Sequence, residues 1–378
     1  MTRVRQAVVL GLAAMAMASL ADAEPMFLSK QYTRCTTCHF SPTGGGLLTP
    51  YGRSLSRQEL STTGRKPDQG PGPQPLGREE SFLWGAFGTQ SGPLSVGIDL
   101  RPAHLGIDVD GQTTSQDFFM TADLLAAFRA NGWTAYGEVG REPLPTGAKI
   151  DSYEYWVEHE TEGGFGIRVG RFLPAYGVRF ADHTAYTRAN FGLDVYDQVY
   201  GVEVSQSWAH RLLQVSLGPG YADSVLHDDG RRAFTATARF QADLSPRSVL
   251  VVSGLFRDSS QLVPMNGAGG VAYGFAPISR LSIWSEGDVQ FQQNTPGAPA
   301  YTLLNETAFE VVRGLWLKVS PQIHTNYGDA SGGFVRLAVE ADLLPRTHWN
   351  VDISYYHDRN RTSDLVIKTW LAQLHLYL

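Results

Sequence analysis

From about residue 94 to the C-terminus the chain is patterned in twos. Val335, Leu337, Val339, Ala341 and Leu343 alternate with Arg336, Glu340 and Asp342, and Trp349, Val351, Ile353 and Tyr355 alternate with Asn350, Asp352 and Ser354. Leu281, Ile283, Val289 and Phe291 likewise oppose Ser282, Glu286, Asp288, Gln290 and Gln292, and Phe234, Ala236, Ala238 and Phe240 oppose Thr235, Thr237, Arg239 and Gln241. Successive strand side chains point to opposite faces, so each segment predicts a β-strand with one apolar and one charged face.

Soluble sandwiches also alternate, with the polar face in water. Connection length separates the possibilities. Tight turns are expected at Asn131-Gly132, Gly163-Gly164, Ala209-His210, Ser245-Pro246, Ile278-Ser279, Arg313-Gly314 and Leu344-Pro345-Arg346. Between them lie longer stretches: Arg141 to Lys149, Leu173 to Asp197, Gly220 to Gly230, Asp258 to Gly267, Gln293 to Pro299 and Asn326 to Ser331. Short turns at one end and long loops at the other are the asymmetry of bacterial outer-membrane barrels. With that parity, the pattern predicts an all-β fold: an antiparallel barrel of about 16 strands over residues 94–378, starting and ending on the periplasmic side. The final strand, Trp370 to Leu378, resembles the terminal targeting strand of such barrels, with Leu378 where an aromatic residue is usual.

Composition agrees. The 40 Gly, 18 Phe, 16 Tyr and 8 Trp suit many short strands and turns. A net charge of −6 argues against a nucleic-acid partner. Mean hydropathy of −0.18 does not exclude the membrane, because lipid-facing and lumen-facing residues of a barrel strand average out near neutral. Residues 1–23 read as a signal peptide: Arg3 and Arg5, an apolar Val8 to Leu20, then Ala21-Asp22-Ala23. No later run approaches the roughly 20 apolar residues of a spanning helix.

Candidate chemistry is concentrated in residues 24–62, ahead of a Pro/Gly-rich linker at 63–93. Cys35-Thr36-Thr37-Cys38-His39 has the spacing of a c-type haem attachment site. Two thiols add across the haem vinyl groups while the adjacent imidazole reaches the iron. A disulfide is the competing reading. A four-thiolate zinc site within one chain is excluded, since the sequence holds 2 Cys. Met26, the Glu24 amine, His375 or an empty position remain open for the sixth ligand. No side chain is required as acid, base or nucleophile.

Size arguments place the module at or in the barrel mouth. Sixteen tilted strands leave about 22 Å across the lumen, and roughly 50 residues fold to about 25 Å. Lumenal Glu286, Asp288, Arg336 and Glu340 are expected either to solvate a water-filled pore or to set the field at the iron. The long segment Leu173 to Asp197 is expected to fold inward as a constriction, with Asp182-His183 either contacting a metal ion or serving hydrogen bonding alone.

The haem pentapeptide, preceded by Ala23-Glu24-Pro25-Met26-Phe27 and followed by Leu48-Thr49-Pro50-Tyr51-Gly52-Arg53, resembles the fused monohaem cytochrome-porins of the outer membrane, known best from bacteria that oxidise ferrous iron outside the cell. Gly44-Gly45-Gly46 departs from that family's usual Phe-Pro stretch. The resemblance implies one covalent haem c on Cys35, Cys38 and His39. It also implies a barrel in the outer-membrane lipid bilayer of a Gram-negative bacterium, and electron transfer between an extracellular donor or acceptor, Fe(II) among them, and a periplasmic carrier such as a soluble cytochrome. The alternatives are a solute porin whose haem module is a gate or redox sensor, and a bare channel with a Cys35–Cys38 disulfide.

Overall fold

A computed structural model of the protein describes residues 25–62, 90–141, 150–193, 197–221, 234–258, 267–292 and 297–378. The expected signal peptide, Glu24, most of the linker, Asp194 and parts of four expected loops lie outside the described residues.

The barrel strands, in chain order, are β1 (Leu94–Val109), β2 (Gln112–Ala130), β3 (Trp133–Arg141), β4 (Tyr155–Glu160), β5 (Phe165–Phe172), β6 (Val199–Trp208), β7 (Arg211–Tyr221) and β8 (Thr235–Ser245), followed by β9 (Ser248–Arg257), β10 (Gly267–Ile278), β11 (Leu281–Phe291), β12 (Ala300–Val312), β13 (Leu315–Asn326), β14 (Asp329–Arg346), β15 (Trp349–Asn360) and β16 (Val366–Tyr377). Each pairs antiparallel with its chain neighbours, and β16 returns to β1, with Thr369 opposite Ile107 and Leu376 opposite Leu100. The sheet is thus a closed barrel of 16 strands. Closure removes the unpaired edge that an open sheet of this length would expose.

The period-two pattern sorts as expected. Leu124, Val169, Val202, Leu217, Val252, Val271, Leu303, Leu317 and Ile353 face outward and are exposed, forming the apolar exterior that a bilayer covers. Asp99, Glu203, Gln241, Asp288, Lys318 and Asp352 face inward and are buried. No helix among the described residues is long and apolar enough to cross a membrane; the strands do so.

Two connections differ from expectation. Asn326 to Ser331 is a tight hairpin rather than a long loop: β13 and β14 are joined by Tyr327-Gly328 alone, with Gly328 at φ 72°. Glycine's tolerance of positive φ lets both strands continue where the polar composition suggested a loop. Leu344-Pro345-Arg346 belongs to β14, and the turn is Thr347-His348. Proline is accommodated there because the β14–β15 register shifts between Leu343 and Arg346, a bulge that needs no N–H from residue 345. The turns after β8 and β10 lie one residue later than expected, at Pro246-Arg247 and Ser279-Arg280.

The lumen is filled from both ends. Residues 25–62 occupy the end of the short turns, tied around the wall by Trp284 Nε1 to the Pro25 carbonyl (3.0 Å), Gln241 Nε2 to the Thr33 carbonyl (2.8 Å), Arg53 Nη2 to the Val96 carbonyl (2.9 Å) and Thr62 N to the Leu344 carbonyl (2.9 Å). Their apolar residues continue the wall: Leu28 packs with Val249, Val251 and Ala272, and Phe40 and Leu47 with Leu125, Trp156 and Phe172. The segment between β5 and β6 folds in from the opposite end, with a single helical turn at Tyr186–Ala189. The expected constriction is therefore present.

Candidate functional site

Cys35–Thr37 form one 3₁₀ turn, closed by Cys38 N to the Cys35 carbonyl (3.1 Å) and His39 N to the same oxygen (3.0 Å). This turn places Cys35, Cys38 and His39 along one cavity. The chain then reverses so that Leu47–Thr49 run back beside Cys38–Phe40, with Phe40 N on the Leu47 carbonyl (3.1 Å) and Thr49 N on the Cys38 carbonyl (2.8 Å). The reversal uses Gly44, Gly45 and Gly46 at φ 83°, 79° and 61°, a run of left-handed residues that glycine alone adopts without strain. Gly46 has a second constraint, since a Cβ there would strike the Tyr136 hydroxyl.

Thr49 caps the helix Pro50–Leu55, its Oγ1 accepting from Gly52 N (3.1 Å), with Pro50 at the first turn where its missing N–H costs nothing. The helix packs so closely on the cysteine turn that a Cβ at Gly52 would meet the Cys38 carbonyl. The sequence Thr49-Pro50-Tyr51-Gly52-Arg53 therefore has a local job: cap, first-turn proline, exposed ring, close approach and a buried guanidinium. Burial pulls Arg53 down to about 10.

The electrostatics suit a neutral imidazole. Burial first, then the Arg179 charge, pull His39 down to about 4, against the carbonyls of Gly45 and Gly46. Its Nδ1 is buried and meets no partner at hydrogen-bond geometry. Burial, followed by the charges of Cys35 and Glu59, pushes Cys38 up to about 12. A nucleophilic or exchange-active Cys-x-x-Cys needs the opposite shift.

The cavity measures about 440 Å³ and reaches from Cys35, Cys38 and His39, past Met26 and Leu48, to the barrel residues Arg101, Leu371 and His375. That is within the roughly 300–1,000 Å³ of small-molecule sites. Two thiols, an imidazole held neutral and the flanking apolar side chains of Met26 and Leu48 form a set that fits a c-type haem. Met26 and His375, both considered for the sixth position, border this same cavity. His375 points into the lumen as alternation indicated, with Nε2 3.2 Å from Asp99 Oδ1.

The structure adds residues that the sequence did not single out. Arg179 of the inward segment donates through Nη1 to the Gly44 carbonyl (2.5 Å), joining the constriction to the loop beside His39. On β3, Tyr136 Oη accepts from Leu47 N (3.4 Å) and donates to Glu138 Oε2 (3.0 Å), and its ring stacks on Trp156 at 5.1 Å. The only signal available was the Gly44-Gly45-Gly46 run, which marks a close approach without naming the partner.

The lumenal charges are taken up by protein partners, and Arg336 and Glu340 border the same cavity as the cysteine turn. Glu286 accepts from Val178 N (3.3 Å), and Asp288 from Tyr176 Oη (2.9 Å). Arg336 is bidentate to Asp358 (2.8 and 3.2 Å) and donates to Thr184 Oγ1 (2.7 Å), and Glu340 accepts from Lys318 (2.6 Å). They hold the inward segment or one another. Asp182 is occupied likewise, accepting from Thr184 N (2.9 Å) and Thr184 Oγ1 (2.6 Å) and lying 3.8 Å from Arg336. No group of three His, Cys, Asp or Glu side chains among the described residues is placed to hold a metal ion.

The barrel is similar to solved outer-membrane proteins. It aligns with OmpT of Vibrio cholerae at 12% identity and TM-score 0.57, covering 75% of this chain and 99% of that one. With OprB of Pseudomonas putida the values are 8%, 0.58, 76% and 94%, and with an anion-selective porin of Comamonas acidovorans 9%, 0.57, 75% and 99%. The fold is that of a bacterial outer-membrane porin. Those porins are matched almost end to end, whereas about a quarter of this chain lies outside the match, the same share as precedes Leu94. No protein-family profile and no curated protein sequence matches the chain.

Proposed function

We propose that this porin-type barrel is an outer-membrane cytochrome-porin of a Gram-negative bacterium. In this reading Cys35 and Cys38 hold one haem c by thioethers, and His39 supplies the proximal imidazole. The bound haem would supply a one-electron Fe(II)/Fe(III) couple, and electrons would pass between an extracellular donor or acceptor and a periplasmic carrier. The observation that carries the reading is the 440 Å³ lumenal cavity bordered by all three motif residues. Haem in the lumen, rather than below it, shortens the distance left to cover across a hydrocarbon layer of about 30 Å.

The chain's own residues would do the following. The 3₁₀ turn presents both sulfurs from one side, burial keeps His39 deprotonated, and Gly46 against Tyr136 fixes the loop that carries the imidazole. The short-turn end, where residues 25–62 sit, would face the periplasm, and the inward segment would screen the cavity from the outside. Fe(II) as the external donor is the version suggested by the resemblance of residues 23–53.

A haem stain of the protein on a denaturing gel, with absorbance of the reduced protein, tests the proposal. A covalent haem band lost in Cys35→Ser/Cys38→Ser supports it; a colourless wild-type protein matured in a haem-attaching host would overturn it in favour of a Cys35–Cys38 disulfide. A second reading, haem as a redox-sensitive gate, draws on residues 25–62 bridging strands all around the lumen. Single-channel recordings that change between oxidised and reduced protein would favour it.

A further inference from the structure

The end of the barrel that holds the haem motif carries an uneven ring of charge. Five consecutive short turns, from β6–β7 to β14–β15, each bring one arginine to the rim: Arg211, Arg247, Arg280, Arg313 and Arg346. Arg211, Arg280 and Arg346 are exposed. No acidic residue stands in those turns, and the three acids at the adjoining strand ends are already engaged, Asp243 by Arg34 (3.4 Å), Glu310 by Lys30 and Asp342 by Lys318 (3.1 Å). The remaining arc is mixed, with exposed Glu160 and Glu162 at the β4–β5 turn and exposed Arg129 beside the β2–β3 turn. In a chain of net charge −6, a crescent of cations over more than half of one rim is a local arrangement.

Inside the crescent lies an aromatic patch. Tyr51 is 49% exposed, its ring 6.4 Å from that of Tyr32, and exposed Glu59 accepts from Tyr32 Oη (3.4 Å), one acid against the five arginines of the rim. Tyr32 borders the same cavity as Cys38, so the patch is the outer edge of the proposed haem site. An aromatic centre inside a charged rim is the anatomy of a protein interface, and a one-sign field speeds encounter with a partner of opposite sign.

We propose that this rim is the docking surface for a soluble electron-carrier protein whose acidic face surrounds its redox centre, with Tyr32 and Tyr51 at the contact. The assignment of the partner as an electron carrier rests on the haem reading; the choice of an acidic face rests on the arginines. Anionic phospholipid of the inner leaflet is the competing ligand of the same side chains, and the aromatic patch inside the ring, away from the lipid-facing exterior, favours a protein.

The test uses the full-length protein in zwitterionic nanodiscs with an acidic plant-type ferredoxin as the probe and a basic cytochrome c as its opposite. Affinity is measured at about 0.01 M and about 0.15 M salt, where screening lengths are about 30 and 8 Å. Arg211→Glu/Arg280→Glu/Arg346→Glu is expected to weaken ferredoxin binding at low salt by about tenfold or more and to tighten cytochrome c binding, with the corresponding glutamine variant intermediate. Retained heat-modifiable migration confirms a folded barrel. Unchanged ferredoxin affinity overturns the proposal, as does a loss confined to phosphatidylglycerol binding in anionic nanodiscs. Because affinity is read without electron flow, this outcome is independent of whether haem is attached.

Discussion

The two segments that fill the lumen are held by different physics. Residues 25–62 present their own apolar core to the wall, and many of their wall bonds use main-chain oxygens, those of Pro25 and Thr33 accepting from wall side chains and those of Val96 and Leu344 accepting from the module, beside the ion pairs Lys30–Glu310 and Arg34–Asp243. The inward segment between β5 and β6 is held mainly by wall side chains, with Glu286, Asp288, Ser253, Gln322, Asp358 and Arg336 meeting its amides, hydroxyls and carbonyls. A main-chain acceptor is held by the backbone on either side of it, whereas carboxylates and guanidiniums in the lumen are buried charges that stay stable only as partners. The inward segment thus depends more on the charged side chains of the wall than the module does, beside the packing of Val178, Phe180 and Ala185 on Val249, Val251 and Ala272.

The strongest test of that contrast is to remove the chemistry without the fold. Cys35→Ser/Cys38→Ser is expected to abolish covalent haem completely while leaving barrel assembly intact, read by haem stain beside heat-modifiable migration. Loss of the folded barrel as well would mean that attachment is required for the module to seat. Next in size is Arg336→Ala, which leaves Asp358 and Asp182 without this cation and frees Thr184. Breaking a buried pair on one side costs about 3–5 kcal/mol. The inward segment should detach, raising single-channel conductance; an unchanged conductance would show that the segment is held without this pair.

A smaller effect is expected at the module's closest approach to the wall. Gly46→Ala puts a Cβ against the Tyr136 hydroxyl at a left-handed position. It should lower the denaturation midpoint by an amount equivalent to about 1–3 kcal/mol. Tyr136→Phe in the same chain should recover part of it, whereas equal loss in both backgrounds would assign the whole cost to the backbone. The smallest concerns His348 on the rim, which burial and the neighbouring Arg53 charge pull down to about 4. The folded protein then binds fewer protons than the unfolded chain between pH 4 and 6.5, so stability present above pH 6.5 is lost as pH falls through about 4. His348→Asn, which suits the φ of 68°, should flatten that slope by about 1 kcal/mol, well below the roughly 3 kcal/mol of a full displacement, because the rim borders water. An identical pH profile in the variant would remove His348 from the account.

The barrel was legible because its information is local. Alternation such as Val335 to Leu343 against Arg336 to Asp342 repeats in every strand, and only a bilayer outside and a filled lumen inside satisfy both faces at once. Strand existence survived even where turns did not. Tyr327-Gly328 and Thr347-His348 were hidden because polar or proline-containing stretches read as breaks, while a glycine φ and a bulge carried the ladder through. The Cys-x-x-Cys-His turn was legible for the same reason, five adjacent residues forming one unit of structure.

What decides the surroundings of that unit is not local at all. Arg179 meets Gly44 across 135 residues, and Tyr136 meets Leu47 across 89. Neither partner has a pattern of its own, since any lumenal position of the right parity admits an arginine or a tyrosine. By itself the sequence determined a two-faced sheet, its closure and a candidate haem motif, because periodicity and short spacing act between neighbours. The tertiary structure alone decided that residues 25–62 lie inside the lumen, that Glu286 and Asp288 clasp a loop, and that five separate turns align their arginines on one rim. Those outcomes depend on which strands lie opposite one another in the closed ring, and a linear pattern carries no record of that distance.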